Sequence, residues 1–575
     1  GLKDTQYGFG DLNAQVETLI RKLNIGSNEA NAIRQMRRHS NRSTALSPED
    51  LTHDAHALAL LVSRVFVVDI PDKLVRSLPW DMQPTSESIR SNSPDKRCIV
   101  TTWDEHTISV IVDEDSSDNH YTVRYTEETQ YARMEYLNDI LREGMHLNLL
   151  GCEASGNTIT PRLIIVEPDC LLDISTIASC FEDYGHHPLL YLVSRMRPKT
   201  NTQATLLGNF AGSALDDIIN NSDFNLAHSL TNNFKEKALE YSTCMDFDAE
   251  QFKQDALLQT ANLQQIVNEL RQHYDLDHAV LEPSFICEKL GIQGRVDLMT
   301  TDLKLLVEQK SGRNIFIEHN APNAHGAKVV EKHYVQLLLY YGILYYNFNQ
   351  SHTDIRLLYS KYPLPDGLIS VTQLMKLVYE AIRFRNEAIA IEFDIALHGP
   401  EKQLEKLTID NLNTAQMSGF FYENYLRPQL ESVLQPLQNL QPLEHAYFCR
   451  MLQFVVRENL LAKVGVIEGT GNSVANLWNM PLTEKRETGN IYTGLTILSK
   501  EKGAETQGYN SYDLITLSVP DQGDDFLPNF RRGDMVYLYA YPADKEPDVR
   551  RAMLFRGGIA EIHTDKITVQ ISPAA

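Results

Sequence analysis

Gly294-Arg295-Val296-Asp297-Leu298-Met299-Thr300-Thr301-Asp302-Leu303-Lys304-Leu305-Leu306-Val307-Glu308-Gln309-Lys310 is the stretch that decides how this chain is read. Leu303 to Lys310 reads as a short buried β-strand. Residues two apart on a strand project from one face, so Glu308 and Lys310 point together and Gln309 points away. Ile292 to Met299 reads as a second apolar-edged strand carrying Asp297. The turn formers Thr300, Thr301 and Asp302 let the two strands pair as a hairpin, which sets Asp297 beside Glu308. Two carboxylates and an ammonium then share one pocket.

That trio is what a metal-dependent phosphodiesterase requires. Hard cations such as Mg²⁺ or Mn²⁺ take carboxylate oxygens plus water, polarise a phosphodiester and lower the pKa of a bound water. Asp297 and Glu308 are the candidate ligands. Lys310 is placed to hold the attacking water or to stabilise charge building on the phosphorane. On spacing alone, the same three residues equally describe a solvated ion-pair cluster of little energetic value.

The surrounding residues resemble the PD-(D/E)xK nuclease superfamily, and within it the RecB-like branch. Asp297 matches the metal aspartate, Glu308 and Lys310 match the E-x-K, and Gln336 and Tyr340 match the downstream Q-x-x-x-Y. The last pair falls on an apolar helix expected over Val329 to Tyr346, where residues four apart share a face. Upstream, Glu167-Pro168-Asp169, then Asp173 to Cys180, then Leu206-Leu207-Gly208-Asn209-Phe210-Ala211-Gly212, resembles the entry to the nuclease domain of the flap-trimming replication helicase–nucleases (the "Dna-two" type). Glu282 lies where that family begins the strand leading to its G-x-x-D segment. The resemblance implies a restriction-endonuclease-like core and a Mg²⁺- or Mn²⁺-dependent deoxyribonuclease acting on single-stranded or flap DNA in replication or repair. Asp297, Glu308, Lys310, Gln336 and Tyr340 would form the site, with Gln336 and Tyr340 positioning the phosphate or the lysine.

Two departures from the family pattern stand out. The position matching the usual metal-binding histidine is Gly212, and Asp216 or Asp217, about one helical turn on, are the candidates to compensate, although acids early in a helix also serve the helix dipole. Many relatives hold an iron–sulfur cluster on four cysteines. Here Cys180 matches the first, and Cys449 is the one cysteine after Tyr340, so no cluster is expected and Cys180 reads as a small buried apolar residue. The alternative function is a catalytically degenerate nuclease fold that binds DNA or a partner without cutting.

The chain of 575 residues, 43% hydrophobic and 22% charged, has a globular composition expected to divide into about three to five domains. No apolar run is long enough to cross a membrane. Seven cysteines with no close pair fit a reducing cytoplasm. Its 53 basic against 76 acidic residues give a net charge of −23, so any DNA contact must be a local groove. Arg195, Arg197 and Lys199, just ahead of the expected nuclease core, are the candidate DNA-binding residues. Arg34, Arg37, Arg38 and Arg42 form a second basic group that reads as a solvated helix face.

The expected architecture is α/β and multi-domain. Residues 1–96 are helices and a Ser/Pro/Asp-rich linker, Pro84 to Lys96. Residues 97–168 form an OB-like β-barrel of five strands with one inserted helix. Residues 169–395 are the nuclease core, 396–465 a helical connector and 466–575 a small accessory β-barrel. The vicinal pair His186-His187 reads as a surface turn. Gly469-Thr470-Gly471-Asn472-Ser473 lacks the lysine of a phosphate-binding loop, so no ATP hydrolysis is expected. The terminal barrel resembles the one that precedes the motor of the replication helicase–nucleases, which implies a covalent continuation into a helicase motor.

Overall fold

A computed structural model describes residues 16, 19–40, 46–77, 93–113, 120–126, 133–220, 224–465, 473–503, 512–523 and 526–571. Residues 84–92 of the expected linker, 466–472 of the glycine-containing turn, and Arg42 lie outside these. Two helices, α1 (Ser27–Ser40) and α2 (Pro48–Phe66), pack through Ile33 and Ala57. Ser47 starts α2 by accepting the Asp50 N–H at 3.1 Å, with Pro48 in the first turn where no N–H is needed.

Seven strands follow: β1 (Lys96–Trp103), β2 (Thr107–Val112), β3 (His120–Arg124), β4 (His146–Leu150), β5 (Glu153–Ser155), β6 (Thr158–Thr160) and β7 (Leu163–Val166). Their order is β5-β6-β3-β2-β1-β4-β7, a sheet that does not close, where an OB-like barrel was expected. The apolar stretch Ile159 to Val166 is divided between two strands. Pro161, which has no N–H to donate, separates β6, paired in parallel with β3, from β7, paired antiparallel with β4. One extended stretch thus serves both ends of the sheet and curls it around a core of Val100, Val110, Val123, Leu147, Ile159 and Ile164.

Asp169, from the Glu-Pro-Asp segment, ties distant parts together. It accepts both Arg97 Nη atoms, at 3.0 and 2.5 Å, the Trp478 indole at 2.8 Å and the Asn479 amide at 2.8 Å.

The central region is a three-layer arrangement. Its elements in chain order are β8 (Leu172–Asp173), α3 (Leu190–Met196), α4 (Gln203–Asn220), α5 (Leu226–Glu236), α6 (Ala238–Ser242), α7 (Ala249–His273), β9 (Ala279–Leu281), β10 (Ser284–Cys287), β11 (Ile292–Arg295), β12 (Leu298–Thr300), β13 (Leu305–Lys310), α8 (Glu331–Phe348), β14 (Asp354–Tyr359), β15 (Leu368–Ser370) and α9 (Met375–His398). A five-stranded mixed sheet runs β9-β12-β13-β14-β15, and a smaller sheet runs β10-β11-β8. Strand alternation sorts the layers. Leu298, Leu305, Val307 and Leu358 face α4 and α7, whereas Met299, Leu306, Ile355 and Leu357 face α8 and α9. Parallel strands β13 and β14 are joined by α8 as the crossover.

The expected hairpin is partly corrected. Ile292 to Met299 is two strands, because the chain leaves the small sheet after Arg295 and enters the large one at Leu298. Asp297 occupies the step between them. Arg385, fully buried on α9, anchors the approach by donating to the carbonyls of Gly291 at 3.1 Å, Glu167 at 2.9 Å, Cys170 at 2.8 Å and Val166. Gly291 sits at φ +63°, and a Cβ there would collide with the guanidinium, so only glycine fits.

Helices α10 (Arg427–Gln438) and α11 (Pro442–Val464) continue the same core through Leu430, Leu434, Val456 and Leu460. The last sheet has the order β16 (Thr496–Glu501), β17 (Leu514–Ser518), β20 (Lys566–Ile571), β19 (Phe555–Ile562), β18 (Met535–Leu538). It is open as well. Strands β16 and β18 are its two edges, where a small accessory β-barrel was expected. Among the described residues no helix is long and apolar enough to cross a membrane.

Candidate metal and active site

Strand β13 carries Glu308 and Lys310 onto the face that meets α8, as period-two alternation requires. Lys310 Nζ donates to Glu308 Oε1 at 2.6 Å. Gln336, on α8, donates its amide to the same Oε1 at 2.5 Å and accepts Lys310 Nζ at 3.1 Å. Gln309 faces the opposite layer, where it donates to Ser360 Oγ at 3.0 Å. Tyr340, one turn beyond Gln336, donates to the Arg295 carbonyl at 2.6 Å. Its ring passes so close to Gly294 that an added Cβ would lie 2.6 Å from Tyr340 Cε1. The glycine of the opening motif is therefore a packing requirement of the tyrosine.

Asp297 reaches β13 through Oδ2, which accepts the Gln309 N–H at 2.7 Å. The β12–β13 register pairs Leu298 with Val307, so the next position back sets Asp297 opposite Glu308. All five residues singled out in the sequence thus meet in one place.

Two further acids join them. Asp216 on α4 is pushed well above the usual carboxylate range by burial and by the charges of Glu282, Asp297 and Asp217. Asp217, one position on, turns away and accepts Ser229 Oγ at 2.5 Å. Glu282 is held at φ +52°, with its N–H donating to the Asp297 carbonyl at 3.2 Å. Burial and the Asp297 charge raise its pKa against the opposing pull of Arg295 and Lys237. Sequence reading had placed Glu282 only as the start of a strand. The local sign in the sequence is the following Pro283, which restricts the backbone of the residue before it.

Burial dominates the electrostatics, and neighbouring acids add to it at Asp216, Glu282 and Glu308. Burial raises Asp297, with Lys310, the Gln309 N–H and Arg295 pulling it back down. Glu308, 2% exposed, is pushed up to about 8 by burial and the Asp297 charge against the opposing pull of Lys310. His333, three residues before Gln336, is held well below its ordinary value by burial and the Lys310 and Lys332 charges.

Among the described residues, no group of three or more His, Cys, Asp or Glu side chains stands in a metal-holding arrangement. Mg²⁺ does not require one, since it is commonly bound through one or two carboxylates, several waters and substrate phosphate. The residues here fit that pattern on one observation. Glu308 Oε2 is buried and has no hydrogen-bond partner. A buried carboxylate oxygen left without a donor is costly and marks the place where a cation or water belongs. Along α4, Gly208, Gly212 and Asp216 lie at four-residue spacing on one face. A Cβ at Gly208 would meet Ser311 Oγ at 3.1 Å, whereas one at Gly212 would meet nothing within 4 Å. A side chain added at Gly212 would leave the helix into open space.

The other sequence candidates are placed as follows. Arg195 Nη1 donates to Glu392 Oε1 and to the Tyr191 hydroxyl, both at 2.5 Å, so its charge is neutralised locally. Arg197 bonds Tyr184, and Lys199 is exposed. His186 is not in a surface turn. It lies in a two-residue strand, with Nδ1 3.2 Å from Glu380 and Nε2 3.3 Å from Glu331 at the start of α8. Cys180 is 1% exposed, in the core beside the Pro188 carbonyl, and Cys449 lies beside His445. No protein-family model matches the chain, and no curated protein matches it either.

Proposed function

We propose that this chain is a Mg²⁺- or Mn²⁺-dependent DNA nuclease of the PD-(D/E)xK, RecB-like kind, cutting single strands or flaps, with a restriction-endonuclease-like core. The observation that carries this reading is the unpartnered Glu308 Oε2, buried among Asp297, Lys310 and Gln336. Asp297 and Glu308 would hold the ion, and Asp216 is the acid that α4, the helix on which the family resemblance puts a histidine at position 212, brings into range of Asp297. When bound, the ion polarises the phosphodiester and lowers the pKa of a coordinated water.

The rest is done by the chain's own side chains. Lys310 Nζ would donate a hydrogen bond that holds the attacking water or stabilises the phosphate oxygen that gains charge. Gln336 fixes the direction of that ammonium by binding Lys310 and Glu308 together. Tyr340 pins the Arg295 carbonyl, and so sets the step at which Asp297 leaves the small sheet. The mixed sheet with α4 on one face and α8 on the other supports the core assignment. A covalent continuation into a helicase motor, suggested by resemblance at the terminal sheet, belongs to the same proposal.

The test incubates end-labelled single-stranded and flap DNA with the protein, with and without Mn²⁺. Asp297→Ala and Lys310→Ala should each lower cleavage by roughly 10²-fold or more, with an unchanged circular dichroism spectrum. Wild-type cutting by either variant defeats the assignment. DNA retention with no metal-dependent cutting by the wild type would favour the degenerate, binding-only reading, for which Gly212 is the motivating residue.

A further inference from the structure

We propose that Arg295 grips the DNA phosphate beside the one that is cut, an inference that rests on the nuclease reading above. The residue leaves the main chain at a pinned point. Its carbonyl accepts the Tyr340 hydroxyl, it pairs with Ser284 across β10–β11, and the next N–H, of Val296, donates to the Pro283 carbonyl at 3.1 Å. Strand alternation puts Gly294 under the Tyr340 ring and sends the Arg295 side chain the other way. That side chain is 61% exposed. Its Nη1 lies 3.1 Å from Glu282 Oε2, whose own main chain is bonded to Asp297. The guanidinium is therefore tethered at the mouth of the acidic pocket, two residues from Asp297.

The charge distribution calls for a cation at that point. The pocket is lined by the acids Asp216, Glu282, Asp297 and Glu308, and the chain as a whole carries −23. Lys310 is committed to Glu308 and Gln336 and is 21% exposed. Arg295 faces water, and its charge lowers the pKa of Asp216, Glu282 and Asp297 alike. Lys237, at the α5–α6 junction, acts on Glu282 in the same sense. An exposed ion pair is worth little, so exchanging Glu282 for a phosphate oxygen costs little. The planar fork of a guanidinium matches two phosphate oxygens at once, which an ammonium does not.

The experiment uses the whole chain with Arg295→Ala, Arg295→Gln and Arg295→Lys. Binding of a fluorescein-labelled oligothymidylate is followed by anisotropy across a salt series with Ca²⁺ in place of Mg²⁺, and cleavage kinetics are measured with Mn²⁺. The Ala and Gln variants should lower the salt slope by about 0.7, the value of one single-strand phosphate contact. They should raise KM about tenfold and leave kcat within about twofold. The Lys variant should keep the slope and recover part of the affinity. An unchanged slope and KM in Arg295→Gln, in a protein that melts like the wild type, overturns the proposal. Loss of kcat at unchanged KM overturns it too, because that assigns Arg295 to the chemistry. If Asp297→Ala abolishes cutting while Arg295→Gln changes nothing, the nuclease reading stands and this inference alone fails. If Asp297→Ala still cuts, the nuclease reading has failed first.

Discussion

The Gln336 amide donates to Glu308 Oε1 at 2.5 Å while its carbonyl oxygen receives the Lys310 ammonium at 3.1 Å, so one residue on α8 sets the orientation of both functional groups on β13. Gln336→Ala should then leave Glu308 and Lys310 in contact but free to turn. The expected outcome is a kcat lower by roughly 10- to 10²-fold, the size of effect that loss of a positioning contact has in other enzymes, with KM changed little. Gln336→Glu should do worse, because it sets a carboxylate against Glu308. Steady-state cleavage with Mn²⁺ checks both, and a Gln336→Ala variant with wild-type kcat removes the positioning role.

The raised Glu308 makes the metal-free protein sensitive to pH. A carboxyl whose folded-state pKa exceeds its unfolded value binds its proton more tightly when folded. Its contribution to stability is full below the ordinary carboxylate range and is lost as pH rises through about 8. Asp216, Glu282 and Asp297 are raised as well and act in the same direction. Urea unfolding in chelator should therefore show stability falling from pH 5 to pH 8, with a shallower fall in Glu308→Gln. Mn²⁺ affinity should climb over the same window, by up to about tenfold per pH unit for each proton released. A stability that rises across the window would contradict the sign.

Asp216 and Asp217 are adjacent in sequence but differently placed, the first within range of Asp297 and Glu282 and the second bonded by Ser229. Asp216→Asn should weaken Mn²⁺ binding and cleavage while lessening the loss of stability of the metal-free protein as pH rises, because no buried carboxyl is left there to ionise. Asp217→Asn weakens the bond from Ser229 and should cost about 0.5–1.5 kcal/mol of stability with cleavage unchanged. Calorimetric titration of Mn²⁺ and urea unfolding of the two variants separate the roles, and equal effects on metal binding would refute the distinction.

Gly212 faces open space on the same side of α4 as Asp216. Gly212→His should fold without loss of melting temperature, since an interior helical glycine is already unfavourable by up to about 1 kcal/mol. It should also tighten Mn²⁺ binding measured by calorimetry. A lower melting temperature or unaltered Mn²⁺ affinity would show that the space does not open on the site.

Much of the site was legible in the sequence because it depends on short-range geometry. Period-two alternation places Glu308 and Lys310 together with Gln309 opposite. The turn after Met299 sets the β12–β13 register, and four-residue helical spacing puts Gln336 and Tyr340 on one side. What escaped was set by contacts between distant segments. The strand through Ile292 breaks because Val296 bonds Pro283 and Asp297 bonds Glu282. His186 is drawn out of a surface turn by Glu331 and Glu380, more than a hundred residues away in the chain. Arg195 is taken up by Glu392. The two outer sheets stay open because strand pairing over long separations, and Pro161 in the first of them, decide closure.

Residue order alone thus determined which side chains leave each strand or helix on a common face, since that follows from backbone periodicity. Only the tertiary structure decided which faces meet. It set Asp216 in range of Asp297 and turned Asp217 to Ser229, brought Glu282 to Asp297, and left one oxygen of Glu308 without a donor, because burial and long-range charge are properties of packed layers rather than of any local sequence.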